Sequence, residues 1–323
     1  MRTMLVGSRA SPDSMEKHVI ETLREMGHEV AHFNERDAID IGAASRYLRA
    51  VASRVLREPE RLVERRLLDQ VAAFQPDLII VLLGSGLSPR TMPKLRRLTR
   101  ARIVCWCQDQ MTTMGRQYLI GAGYDRVYVK DHYLVHVLRD FAGLDVEYLP
   151  EACNPRYHRI VELAPDERER FRSDICTFGN VYYYRQALLQ PLLRYDLQVW
   201  GFRPDWLVDQ LGASFKGRPV FEEEKCKVIS GARIVLNTLH FGEVAGLNCR
   251  AFEVAGCGGF QLMTHTEAIA EHFRPGEEVE SFRDRAELLD KVEHYLANPE
   301  AARAIALAGH RRAVAEHTYR HRL

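Results

Sequence analysis

Residues 78–83 read LIIVLL, six apolar side chains without a polar break, followed at once by Gly84–Ser85–Gly86. A strand with one wet face alternates. A strand apolar at every position is covered on both faces, as in a parallel sheet between helical layers. Similar runs recur along the chain. Residues 3–7 (TMLVG) lead into Ser8, residues 102–107 into Gln108–Asp109–Gln110, residues 174–178 into Gly179–Asn180, and residues 232–236 into Asn237. Helical spacings lie between them. Residues 14–26 end at Gly27, a good C-cap, and residues 285–296 place Leu288, Leu289, Val292, Tyr295 and Leu296 on one face. Strand, loop, helix, strand in repetition predicts an α/β fold.

The pattern opens twice, once at the N-terminus and again from residue 174. With 323 residues, too many for one typical core, this predicts two Rossmann-like domains in tandem. The expected division is an N-terminal domain over 1–155, a charged linker over 156–172, a second domain over 173–300, and a closing helix over 301–323. The dinucleotide fingerprint G-x-G-x-x-G is missing from the first strand–loop–helix, which argues against a nicotinamide cofactor. Lys and Arg total 45 against 44 Asp and Glu, so no global field favours nucleic acid or an anionic membrane. No apolar run has the length of a membrane span, and the start lacks a signal-peptide pattern. The seven cysteines are odd in number and sit mostly in apolar segments. The Cys105–Trp106–Cys107 spacing is tighter than usual zinc pairs, so structural thiols, no metal and a cytoplasmic location are expected.

In open α/β sheets ligands bind beyond the carboxyl ends of the strands. That rule selects Gly7, Ser8 and Gly84 in the first half, and Asp109 as a base or as the N-cap of a following helix. Asp131 is expected to cap a helix over 133–141. Residues 43–74 are helical and Arg-rich, a solvated face or an acceptor-facing patch. In the second half, Gly179 and Asn180 offer backbone N–H groups to a diphosphate, with Arg185 as its charged partner or a surface cation. Tyr182, Tyr183 and Tyr184 pack or stack on a base. Residues 240–264 carry a Gly loop (Gly242, Gly246), a short helix from Arg250 with Glu253, and a glycine turn at 256–259 before an apolar strand. A loop running into a helix N-terminus is an anion site, and an acid on that helix suits ribose hydroxyls.

The segment from Gly246 to Gly259 (GLNCRAFEVAGCGG), with DICTFGNVYYYR at 174–185, ARIVLN at 232–237, FRPGEEV at 273–279 and EHTYRHR at 316–322, resembles the CgeB-like (spore maturation protein) branch of the GT-B glycosyltransferases. The resemblance covers the C-terminal half; in the N-terminal half YLPEACNP, with Glu151, is the best local match. It implies two Rossmann-like domains facing across a cleft, the second binding a nucleotide-diphosphate sugar and the first an unidentified acceptor, without an essential metal or other cofactor. It implies that Glu253 holds the donor ribose, that Gly246, Leu247 and Asn248 approach the sugar and diphosphate, that Gly179, Asn180 and Arg185 serve the phosphates, and that Val220 meets the nucleobase. Arg250 either adds charge there or pairs with Glu253. Many retaining members carry a second glutamate eight positions before the first; here that position is Ala245, with Glu243 nearest. A nucleotide-sugar epimerase or hydrolase, or a non-catalytic binding protein, stays open as an alternative.

Overall fold

The computed structural model describes residues 1–7, 11–38, 58–82, 90–109 and 123–323. Ser8, Gly84 and residues 43–57 of the Arg-rich stretch lie outside the described residues, as does the helix that Asp109 would cap. The chain forms two compact units, Met1–Pro150 and Glu151–Arg322.

The first unit is built on strands β1 (Arg2–Val6), β2 (Glu29–Phe33), β3 (Leu78–Leu82), β4 (Arg102–Cys107), β5 (Arg126–Val129) and β6 (Val146–Tyr148). They form one sheet in the order β2-β1-β3-β4-β5-β6, every pair parallel. Helices α1 (Met15–Glu25), α2 (Glu58–Phe74) and α3 (Thr91–Leu98) connect them. The continuous run at 78–83 is the reason β3 is central: four of its five side chains are buried. Val6, Val81 and Ile103 pack with Leu67 and Val71 of α2 and Leu95 of α3. Asp131 caps the turn His132–Val135 through Tyr133 N–H, as expected. Where one helix was expected, that turn passes into a wider π turn, His136–Phe141.

The second unit contains β7 (Ser173–Phe178), β8 (Leu197–Trp200), β9 (Ala232–Asn237), β10 (Gln261–Thr264) and β11 (Glu280–Phe282), again all parallel, in the order β11-β10-β9-β7-β8. Its helices are α4 (Pro165–Phe171), α5 (Tyr183–Leu189), α6 (Glu222–Gly231), α7 (Cys249–Gly256), α8 (Arg285–Ala297) and α9 (Pro299–Glu316). The expected linker belongs to this unit's core: Leu163 and Phe171 pack with Phe178, Val220 and Cys226. The end of the chain belongs here too. Cys153 N–H donates to the His317 carbonyl, Tyr319 N–H donates to the Cys153 carbonyl, and Arg322 Nε donates to the Glu151 carbonyl. These bonds correct the placement of Glu151 with the N-terminal acceptor domain, because its own backbone is tied to the C-terminal segment.

Candidate functional site

The strand order of the second sheet reverses at β7 and β9, which lie side by side although β8 intervenes in sequence. Such a switch point leaves a crevice at the carboxyl ends of the two strands. The loops there begin at Gly179 and Thr238.

Gly179 has φ +119°, a region L-residues rarely adopt, and its N–H donates to the Trp200 carbonyl. A Cβ on it would stand 3.1 Å from Arg185 Nη1 and 3.3 Å from Arg250 Nη1. The sequence left Arg185 open between phosphate partner and surface cation. It is 2% exposed. Nη1 donates to the Asn180 carbonyl at 2.9 Å, and Nη2 to Thr177 Oγ1 at 2.6 Å and the Phe178 carbonyl at 3.0 Å. Arg250 Nη1 donates to the same Phe178 carbonyl at 2.7 Å, and its Nη2 to the Thr238 carbonyl at 3.2 Å. Arg250 therefore does not pair with Glu253. Two guanidiniums share one backbone oxygen, and among the described residues neither has a carboxylate partner. Burial first, then the neighbouring Arg250 charge, pulls the Arg185 guanidinium down to about 9. The buried Arg185 Nε has no hydrogen-bond partner among the described residues. Two guanidiniums so close together concentrate positive charge at the carboxyl ends of β7 and β9.

Glu253 sits on α7, 5% exposed, with Oε2 3.0 Å from Lys225 Nζ on α6 and Oε1 3.7 Å from His158 Nε2. The helix that carries it is capped by Asn248, whose side chain accepts the Ala251 N–H, a cap worth about 1 kcal/mol. Asn248 also exchanges amide hydrogen bonds with Asn237 at 2.9 and 3.0 Å, and Asn237 donates to Gln261. This buried amide set fixes the approach of the Gly246–Asn248 loop to α7; Gly246, Leu247 and Asn248 are all buried. Val220 is buried beside Trp200 at the end of β8. The structure thus gathers Gly179, Asn180, Arg185 and Arg250 around the Phe178 carbonyl, and sets Glu253 against Lys225 and His158.

In the first unit, Gly7 closes β1, its N–H donating to the Phe33 carbonyl. Asp109 is exposed on a bend beyond β4. Thr177, Thr238 and His158 were not singled out from the sequence. The His158–Glu253 contact joins residues far apart in the chain, and the two threonines sit at strand ends without a motif of their own.

Residues 185–323 match the family described as "Glycosyl transferase-like". A comparison with curated proteins finds no match. Among solved structures, the fold is similar to a sucrose-phosphate synthase from Thermosynechococcus elongatus, at TM-score 0.70 and 14% identity over 97% of this chain and 94% of that one. It is similar to Anabaena HepE in complex with UDP-glucose, at TM-score 0.67 and 11% identity over 99% and 96%. A glycosyltransferase from Rickettsia africae ESF-5 gives 0.65 and 11% over 98% and 94%. The domain match over residues 185–323 and the two-unit fold shared with GT-B glycosyltransferases support a glycosyltransferase enzyme.

Proposed function

We propose that the enzyme transfers a sugar from a nucleotide-diphosphate sugar without a metal ion, and that it belongs to the CgeB-like branch. The observation that carries this reading is the pair of guanidiniums on the Phe178 carbonyl. In the transfer, the bond from the sugar's anomeric carbon to the β-phosphate oxygen breaks and a bond from the acceptor oxygen forms. Charge builds on the departing diphosphate. Two preorganised cations beside it stabilise that charge, which is the work a divalent ion does elsewhere. Glu253, paired with Lys225, offers carboxylate oxygens as acceptors for ribose hydroxyls. The buried Gly246–Asn248 loop approaches the sugar, and the Val220 segment the base. In an inverting course Asp109 takes the acceptor proton. The solved complex of the Anabaena protein makes UDP and UDP-glucose the first probes.

Among the described residues no helix is long and apolar enough to cross a membrane, which is compatible with a cytoplasmic setting. The test is a thermal-shift and calorimetric panel of UDP, GDP, ADP, UDP-glucose and the matching monophosphates, with and without EDTA. The reading expects a nucleoside diphosphate to bind, its monophosphate to bind more weakly, and EDTA to change neither. A panel without binding rejects the donor site; binding lost with EDTA rejects the metal-free assignment.

A further inference from the structure

The same switch point carries a second feature. Tyr182 and Tyr184 follow β7; His240 and Phe241 follow β9. The four rings form one continuous cluster. His240 lies 4.1 Å from Phe241, Tyr184 meets Phe241 edge-on at 6.0 Å, Tyr182 meets His240 at 5.9 Å, and the two tyrosines stack at 6.3 Å between centroids. Phe241 is 71% exposed and Tyr184 44%. Large aromatics left in solvent as a contiguous patch mark a binding surface.

The patch is amphipathic. Gly242 N–H donates to His240 Nδ1 at 3.1 Å, which leaves the proton of the neutral ring on Nε2 as a donor. Tyrosine hydroxyls add donors and acceptors at the rim. The loop is held in place: His240 N–H donates to Glu243 Oε2, and Leu239 N–H to Thr264 Oγ1. Apolar ring faces with a polar rim match a pyranose, whose C–H face is apolar and whose edge is hydroxyl.

Val220 packs with Trp200 at the end of β8, which pairs with β7 on one side; His240 and Phe241 follow β9, which pairs with β7 on the other, while Tyr182, Tyr184 and Arg185 follow β7 itself. A donor with its base at the β8 end runs toward β9, and Phe241, the most exposed of the four rings, is the one most open to a second sugar. We propose that Tyr184 and Phe241 form a platform for a sugar ring of the acceptor, so that the acceptor is a carbohydrate. This rests on the donor reading above.

The test uses the full chain saturated with UDP, titrated with tetrasaccharides of glucose, galactose, mannose and N-acetylglucosamine. The expected result is binding of at least one, weakened about tenfold or more by Phe241→Ala and by Tyr184→Ala, with UDP and UDP-glucose affinity held within about twofold. Both side chains are exposed, and unchanged melting temperatures verify the fold. Absence of tetrasaccharide binding overturns the platform, as does binding indifferent to both variants. Loss of UDP-glucose affinity relative to UDP in Phe241→Ala assigns the rings to the donor sugar and overturns the acceptor assignment. If UDP itself fails to bind, the donor reading falls, and the same titration without UDP still reads the platform.

Discussion

At the residue scale the buried Glu253–Lys225 pair changes how the ribose role is tested. Glu253→Ala breaks a buried ion pair, a loss of about 3–5 kcal/mol that falls on folding rather than on binding. Glu253→Gln keeps the shape and an acceptor oxygen. It is expected to lower nucleoside-diphosphate affinity by roughly 1–3 kcal/mol, read by calorimetry on protein shown to be folded. Unchanged affinity removes Glu253 from the donor site. His317 gives a second residue-scale outcome. Burial pulls its pKa from 6.5 to about 4, and the neutral ring donates from Nε2 to the His272 carbonyl at 2.7 Å while Arg322 Nη2 approaches Nδ1 at 3.2 Å. The folded state binds this proton less tightly than the unfolded chain. Its contribution is therefore complete above pH 6.5 and is lost as pH falls toward 4, with a slope of at most about 1.4 kcal/mol per pH unit. Urea unfolding across that window checks it: His317→Gln is expected to flatten the slope, and an equal slope in both proteins contradicts the assignment.

At the element scale, close approaches of backbone fix what helices and loops tolerate. Gly309 lies in α9, and a Cβ there would stand 2.2 Å from the Glu278 carbonyl oxygen. Gly309→Ala gains up to about 1 kcal/mol of helix propensity but forces α9 off that carbonyl, for a net loss of roughly 1–3 kcal/mol in chemical denaturation. A stabilised variant would show that the helix moves at no cost. Gly201 does the same work for the site, because its Cβ would meet the Gly179 carbonyl oxygen at 1.9 Å. Gly201→Ala is expected to displace the Gly179 loop and reduce nucleoside-diphosphate binding more than it lowers the melting temperature; the reverse ranking contradicts it. These elements show why the fold was more legible than the site. β3 is a continuous apolar run and β9 carries one from Ile234 to Leu236, and such runs state their burial outright. Gly179 was visible as a loop at a strand end, and Arg185 and Glu253 as a cation and an acid on the helices that follow such loops. The Arg250–Phe178 contact spans 72 positions and the Lys225–Glu253 contact 28, and only the assembled sheet brings those partners together. The 156–172 stretch read as linker because its charges dominate its composition, while only His158, Leu163 and Phe171 are buried in it.

At the scale of the whole molecule, the glycosyltransferase-like match and the folded unit do not begin at the same residue. The match starts at Arg185, while the compact unit starts at Glu151. Between them lies β7, which pairs with β8 on one side and β9 on the other. It also carries Thr177 and Phe178, the acceptors that hold Arg185. The segment from Glu151 to Cys153 supplies the partners of His317, Tyr319 and Arg322 at the other end of the unit. A fragment of residues 185–323 therefore loses the strand that joins the two parts of the sheet, and with it the carbonyl that both guanidiniums share. It is expected to show no cooperative thermal transition and no nucleoside-diphosphate binding. A fragment of residues 151–323 retains every strand of the second sheet and is expected to melt cooperatively. Saturating it with UDP at about 100 times the dissociation constant is expected to add about 2.7 kcal/mol of stability. For a unit of this size that is a rise of roughly 5–11 °C in melting temperature. Cooperative melting of the shorter fragment contradicts the central place given to β7. A longer fragment that melts cooperatively but ignores UDP leaves the fold intact and removes the donor site from this unit.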